Sequence, residues 1–198
     1  MDRQTLYTPL YVRHIGDVNL ICLTKEEQNI IDSKIYEEIT LKTGKTTPKN
    51  SILEIVTSLG IGVFLVDFDK KFPQIKGNLS GMIEYPRGIE KAKIFLSSED
   101  VPERRSFTLA HELGHFLLHK PVIQGRFRLD YQVYADDQQS KEEIEANYFA
   151  ASLLVPKEKL IAIIKEINVF DNISQVADYF GVSEIVIQKR LQWLKRNE

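Results

Sequence analysis

The stretch Arg105-Ser-Phe107-Thr-Leu-Ala110-His111-Glu112-Leu113-Gly114-His115 decides how the rest of this chain is read. His111 and His115 are four residues apart, with Glu112 beside the first. On an α-helix such positions lie roughly 40° apart around the axis and about one turn apart along it, so both imidazoles can reach one ion. Glu112 is then close enough to take a proton from an attacking water. With 4 His in 198 residues, an H-E-x-x-H match arises by chance only about 0.007 times. The setting strengthens the reading. Leu109, Leu113, Phe116 and Leu117 form an apolar stripe opposite the two histidines, so a helix here can bury one side and present the ligands to a cleft. Asp100 with Glu103 resembles a capping box, Pro102 suits the first turn, and Pro121 lies just past the expected end at about His119. His119 falls one turn beyond His115, and its expected role is interaction with the dipole at the helix C-terminus.

Working outward, Thr24 to about Leu41 reads as a helix capped by Thr24, with Ile30, Ile31, Ile35 and Ile39 at helical spacing. Thr43–Asn50 reads as a loop, and the segment Ser51–Leu59 as a short helix stopped by Gly60. Val63–Phe68, Leu79–Tyr85 and Lys93–Ser97 are strand-like, the last two flanking the turn residues Pro86-Arg87-Gly88. Residues 121–139 read as an aromatic and charged loop, and Lys141 to Leu154 as a helix stopped by Pro156. The expectation is an α+β fold in which a small three-stranded sheet packs on helices. Residues 1–24 read as an N-terminal extension, 25–157 as the domain carrying the motif, and 158–198 as a C-terminal helical segment packed on the same domain.

Composition narrows the function. Lys+Arg 26 against Asp+Glu 28 gives a net charge of −2, which disfavours nucleic acid as an obligatory partner. A single cysteine, Cys22, forms no internal disulfide and favours a reducing, cytoplasmic compartment. No apolar run approaches the roughly 18 residues of a membrane span, and the N-terminus lacks a signal-peptide core.

A catalytic zinc takes three protein ligands and leaves a position open. No third histidine is well placed, His14 being the only other one, so a carboxylate is expected. Glu142, Glu143 and Glu145 on the 141–154 helix are the candidates, ahead of Asp130, Asp136 and Asp137 in the preceding loop. Tyr131 and Tyr134 are candidate oxyanion donors, although tyrosines in such loops more often cover a core.

The 105–115 block and the later Glu143-Ile-Glu145-Ala-Asn147-Tyr-Phe149-Ala-Ala-Ser-Leu-Leu154-Val-Pro156 together resemble the ImmA/IrrE family of metallopeptidases, zincin-like proteins with both blocks at this separation. The resemblance implies His111 and His115 as metal ligands, Glu112 as catalytic base and Glu145, the Glu of E-A-N, as third ligand. It implies a zinc-dependent endopeptidase acting on a protein, typically a helix-turn-helix repressor of a mobile element or stress regulon. Manganese, cobalt or iron would also accept two imidazoles and a carboxylate. Two other readings stay open: a regulatory metal-binding protein that docks a repressor or DNA without proteolysis, and one half of a toxin–antitoxin pair.

Residues 172–194 have the A-x-x-F-G-V-S-x-x-x-I-x-x-R-L spacing of helix-turn-helix modules. The charges of 171–198 balance to zero, where a DNA reader should be locally basic. A structural or partner-docking role is expected for this segment, with DNA binding unlikely to be its task.

Overall fold

A computed structural model describes residues 23–73, 79–85, 91–119, 127–131, 140–166 and 172–195. The expected N-terminal extension, apart from its last two residues, and the Pro86-Arg87-Gly88 turn lie outside the described residues.

Helix α1 (Lys25–Ile35) begins where Thr24 accepts from the Glu27 backbone N–H while the Glu27 carboxylate accepts from the Thr24 backbone N–H, a reciprocal capping box. It continues into a π-helical turn over Tyr36–Leu41. The same device, with Ser51 and Glu54, starts α2 (Ile52–Ser58). After Gly60, whose φ of 77° suits a residue without Cβ, the chain enters β1 (Gly62–Val66). A short α3 (Phe68–Lys71) then precedes β2 (Leu79–Glu84) and β3 (Lys93–Ser97).

Helix α4 (Pro102–Leu118) carries the motif. Its N-cap is Val101, without a side-chain cap; Asp100, expected as the cap, instead faces Arg104 Nε at 3.5 Å. Pro102 at the first helical position costs nothing there, because its missing N–H would be unpaired in any case. Strand β4 (Phe127–Tyr131) lies in the stretch read from sequence as loop. Helices α5 (Lys141–Leu154), α6 (Lys157–Glu166), α7 (Ile173–Phe180) and α8 (Glu184–Lys195) complete the order.

The α+β class stands, with all three expected strands in place and β4 as an addition. The strand order is β1-β3-β2-β4. β1 runs parallel to β3, while β2 is antiparallel to both β3 and β4. β4 escaped the sequence reading because Phe-Arg-Leu-Asp-Tyr is short and its partner, β2, is more than 40 residues away. Between Leu79 and Gly81 the register against β4 shifts, which leaves Ser80 as the bulged residue. The bulge reverses which face each side chain occupies. Leu79 and Met82, three positions apart, therefore both join Phe68 in a small apolar cluster, while Ile83 joins the main core.

That main core lies between the sheet and the helices, with Ile55, Val56, Ile83, Ile94, Leu113, Phe149 and Leu160 at its centre. The C-terminal helices contribute Val176, Ala177, Phe180, Ile187 and Leu191 to the same cluster. Arg190, in the helix-turn-helix-like segment, is only 2% exposed. Its Nε donates to the Val155 carbonyl at 3.2 Å and its guanidinium stacks over the Tyr148 ring at 5.3 Å. This arginine ties α8 to α5 instead of standing in solvent.

The closest helix pair is α4 with α5. A Cβ built on Gly114 would lie 3.0–3.2 Å from Phe149 Cδ1, Cβ and Cγ, so the glycine lets the Phe149 ring sit directly on the α4 backbone. Phe149→Ala is expected to cost about 3–5 kcal/mol in urea denaturation. A loss below 1 kcal/mol would mean that this contact does not anchor the helix pair.

Candidate metal centre

The α4–α5 junction brings three side chains to one point. His111 Nε2 and His115 Nε2 are 2.9 Å apart. Glu143, from the first turn of α5, places Oε2 3.3 Å from His111 Nε2 and Oε1 3.4 Å from His115 Nε2. Two nitrogens and an oxygen each about 2.1 Å from a tetrahedral zinc are separated from one another by roughly 3.4 Å. The triangle the side chains make is therefore of the size a single small cation needs, and its donor set of two imidazoles and a carboxylate suits zinc. Among the described residues, His111, His115 and Glu143 are the group able to hold a metal ion.

Burial of Glu143 would by itself push its carboxyl up, but hydrogen bonds and charge from His111 and His115 outweigh it and hold the group well below the usual carboxylate range. His115 is fully buried and His111 nearly so. His111 Nδ1–H donates to Asn147 Oδ1 at 3.0 Å, so in the neutral ring the lone pair is on Nε2, the nitrogen directed at the cluster. Asn147, one turn after Glu143, was not singled out from sequence, although its place in the E-A-N block was visible.

Glu145, the third ligand implied by the resemblance, is not brought to the histidine pair. Its Oε2 lies 2.8 Å from His119 Nε2, and His119 Nδ1 lies 2.9 Å from His115 Nδ1. The carboxylate that the structure places at the pair is Glu143 and not the Glu145 expected there. Positions two apart on a helix point roughly 200° from each other, so only the packing of α5 on α4 decides which of the two enters the cluster. Glu142 is not in it. His119, expected only to complement the helix dipole, bridges His115 and Glu145 instead. Asp136, Asp137 and Tyr134 lie outside the described residues; Asp130 and Tyr131 fall in β4, where Tyr131 pairs with Leu79.

Glu112 is fully buried beneath the sheet. Its neighbour on β2 is Gly81, where an added Cβ would meet Thr108 Cγ2 at 2.4 Å and Glu112 Oε1 at 2.8 Å. Thr108 is β-branched and held in the helix, so it has little room to yield.

A histidine pair on one helix, meeting a carboxylate from a second helix above a mixed sheet, defines an α+β protein whose central triad has the donors to hold a divalent cation. The chain belongs to the IrrE N-terminal-like domain family of peptidases, whose profile matches residues 60–192. This is the ImmA/IrrE grouping that the two sequence blocks resemble. Among curated proteins the chain is similar to one named Metallopeptidase ImmA, from Bacillus subtilis (strain 168). The two are 26% identical over 147 residues, which span 74% of this chain and 78% of the relative. No helix among the described residues is long and apolar enough to cross a membrane.

Two outcomes follow from this geometry. Gly81→Ala is expected to lower stability by about 1–3 kcal/mol in chemical denaturation through overpacking, and Thr108→Ser in the same chain to recover part of the loss. An unchanged midpoint would show that β2 and α4 are not in such close contact. Metal affinity should also fall as pH falls. Glu143 is held below the usual carboxylate range, so competition from protons falls on the imidazoles, and a protonated ring cannot ligate. Affinity measured against a chelator is expected to fall more than tenfold between about pH 7.5 and 5.5, because two rings must lose their protons. A flat profile would exclude the histidines as ligands.

Proposed function

We propose that this protein is a zinc-dependent endopeptidase in which His111, His115 and Glu143 hold the metal and Glu112 is the general base. The observation that carries this reading is the triangle of two Nε2 atoms and a Glu143 oxygen, with Glu112 next to His111 on the same helix. Bound there, a divalent ion would acidify a water and polarise the scissile carbonyl. Asn147 orients His111 from behind. Glu112 accepts the proton of the attacking water and returns it to the amide nitrogen as the C–N bond breaks. Its burial excludes bulk water from that transfer and keeps the carboxylate within α4's rigid frame. An extended substrate segment would be aligned by adding to an edge of the sheet, of which β4 is one among the described residues.

For the substrate we favour a protein, and specifically a helix-turn-helix repressor of a mobile element or stress regulon. Support comes from the family and from the relative named Metallopeptidase ImmA. The net charge of −2 accords with a protein substrate better than with a nucleic-acid one.

The test compares cells producing the wild type with cells producing Glu112→Gln, by labelling all protein N-termini. New N-termini are expected only with the wild type. On a substrate identified this way, Glu112→Gln should reduce turnover on the order of 10²–10⁴-fold while leaving zinc bound. Identical cleavage by both proteins would remove Glu112 from the mechanism.

A further inference from the structure

We propose that His119 and Glu145 are a positioning pair that fixes the tautomer and ring orientation of His115. The proposal rests on the metal centre described above and concerns two residues outside its ligand set. With both rings neutral, the distances leave one arrangement of protons. A carboxylate only accepts, so at 2.8 Å from Glu145 Oε2 the His119 Nε2 must be the donor. A neutral imidazole with its proton on Nε2 has an accepting Nδ1. That Nδ1 lies 2.9 Å from His115 Nδ1, which must then carry the proton. His115 Nε2, the atom facing His111 and Glu143, is left with its lone pair available. One carboxylate thus sets, through two rings, which nitrogen of a fully buried histidine can bind a cation.

The other ligands are held differently. His111 is oriented by the Asn147 amide at 3.0 Å, a single step. His115 has the longer support, and it ends outside the core. Glu145 Oε1 lies 3.9 Å from Lys141 Nζ, and Lys141 in turn pairs with Glu27 at the start of α1. His119 is itself constrained, being the C-cap of α4, with its backbone N–H donating to the His115 carbonyl at 2.9 Å and its own carbonyl accepting from Tyr85 Oη at 3.4 Å. Its ring therefore extends the row of His111 and His115 by one further turn, and the carboxylate that meets it is Glu145, two residues from the one that enters the cluster.

Zinc affinity of the purified full-length chain, measured by competition with a chelator at constant pH, tests the pair without any substrate. His119→Phe, which keeps a ring but removes both nitrogens, is expected to weaken zinc about 10–100-fold, and so is Glu145→Ala. The double variant should bind no more weakly than His119→Phe alone, because both changes break one chain. His119→Gln, whose amide can accept from one side and donate to the other, should recover most of the affinity. The urea midpoint of the metal-free protein reports folding, and Glu145→Ala carries the test if His119→Phe does not fold.

Affinity within twofold of the wild type in both single variants would overturn the pair. So would loss with Glu145→Ala but not with His119→Phe, since Glu145 would then be acting as a ligand in its own right. A wild-type protein that binds no zinc would instead overturn the metal-centre reading itself.

Discussion

The approach of α4 to α5 at Gly114 and Phe149 governs the geometry of everything above it. A side chain at position 114 would hold the two helices apart, and the separation between the histidine pair and Glu143 would grow with it. The ligand triangle tolerates little of that, because a small cation needs all three donor atoms within a few tenths of an ångström of its preferred shell. The same junction sets the contacts of His111 with Asn147 and of His119 with Glu145, which cross between the same two helices. A packing contact one residue from His115 thus controls a constellation of polar groups that make few apolar contacts of their own.

The C-terminal helices stabilise this junction from the far side. Val155 follows the last residue of α5, and Arg190 of α8 donates to its carbonyl, a group the helix leaves without an internal acceptor role. The guanidinium also covers Tyr148, whose hydroxyl donates to Asp32 of α1 at 3.1 Å. Burial pushes the Asp32 carboxyl up, while Arg190 and Tyr148 pull it back toward its ionised form. Three helices thus share one polar knot inside an apolar core. Taking one partner away would strand a buried charge, which is far costlier than the knot's net contribution to stability.

Much of this was legible in the chain itself. Helix α4 and the convergence of His111 and His115 on it followed from an i, i+4 spacing on an apolar-backed helix, which is a local property. So did α5 and the Thr24 cap of α1, whereas the Asp100–Glu103 box expected before α4 did not form. The choice between Glu143 and Glu145 was not local. Both sit near the start of α5 beside an apolar stripe, and the rotation of α5 against α4 is fixed by Phe149, Ala150 and Leu153 in the core. His119 was underestimated for the same reason, since its partners are a ring one turn back and a carboxylate 26 residues ahead. β4 and the Ser80 bulge depend on strand pairing across a long gap, for which five residues of mixed polarity give no signal.

Gly81 gives the buried Glu112 carboxylate a back wall without a side chain. Here the wall is peptide backbone, set by the bulge at Ser80 and by Thr108 above it. A Cβ at position 81 would press on Thr108 and on Glu112 itself, so a change there is felt by strand, helix and carboxylate together.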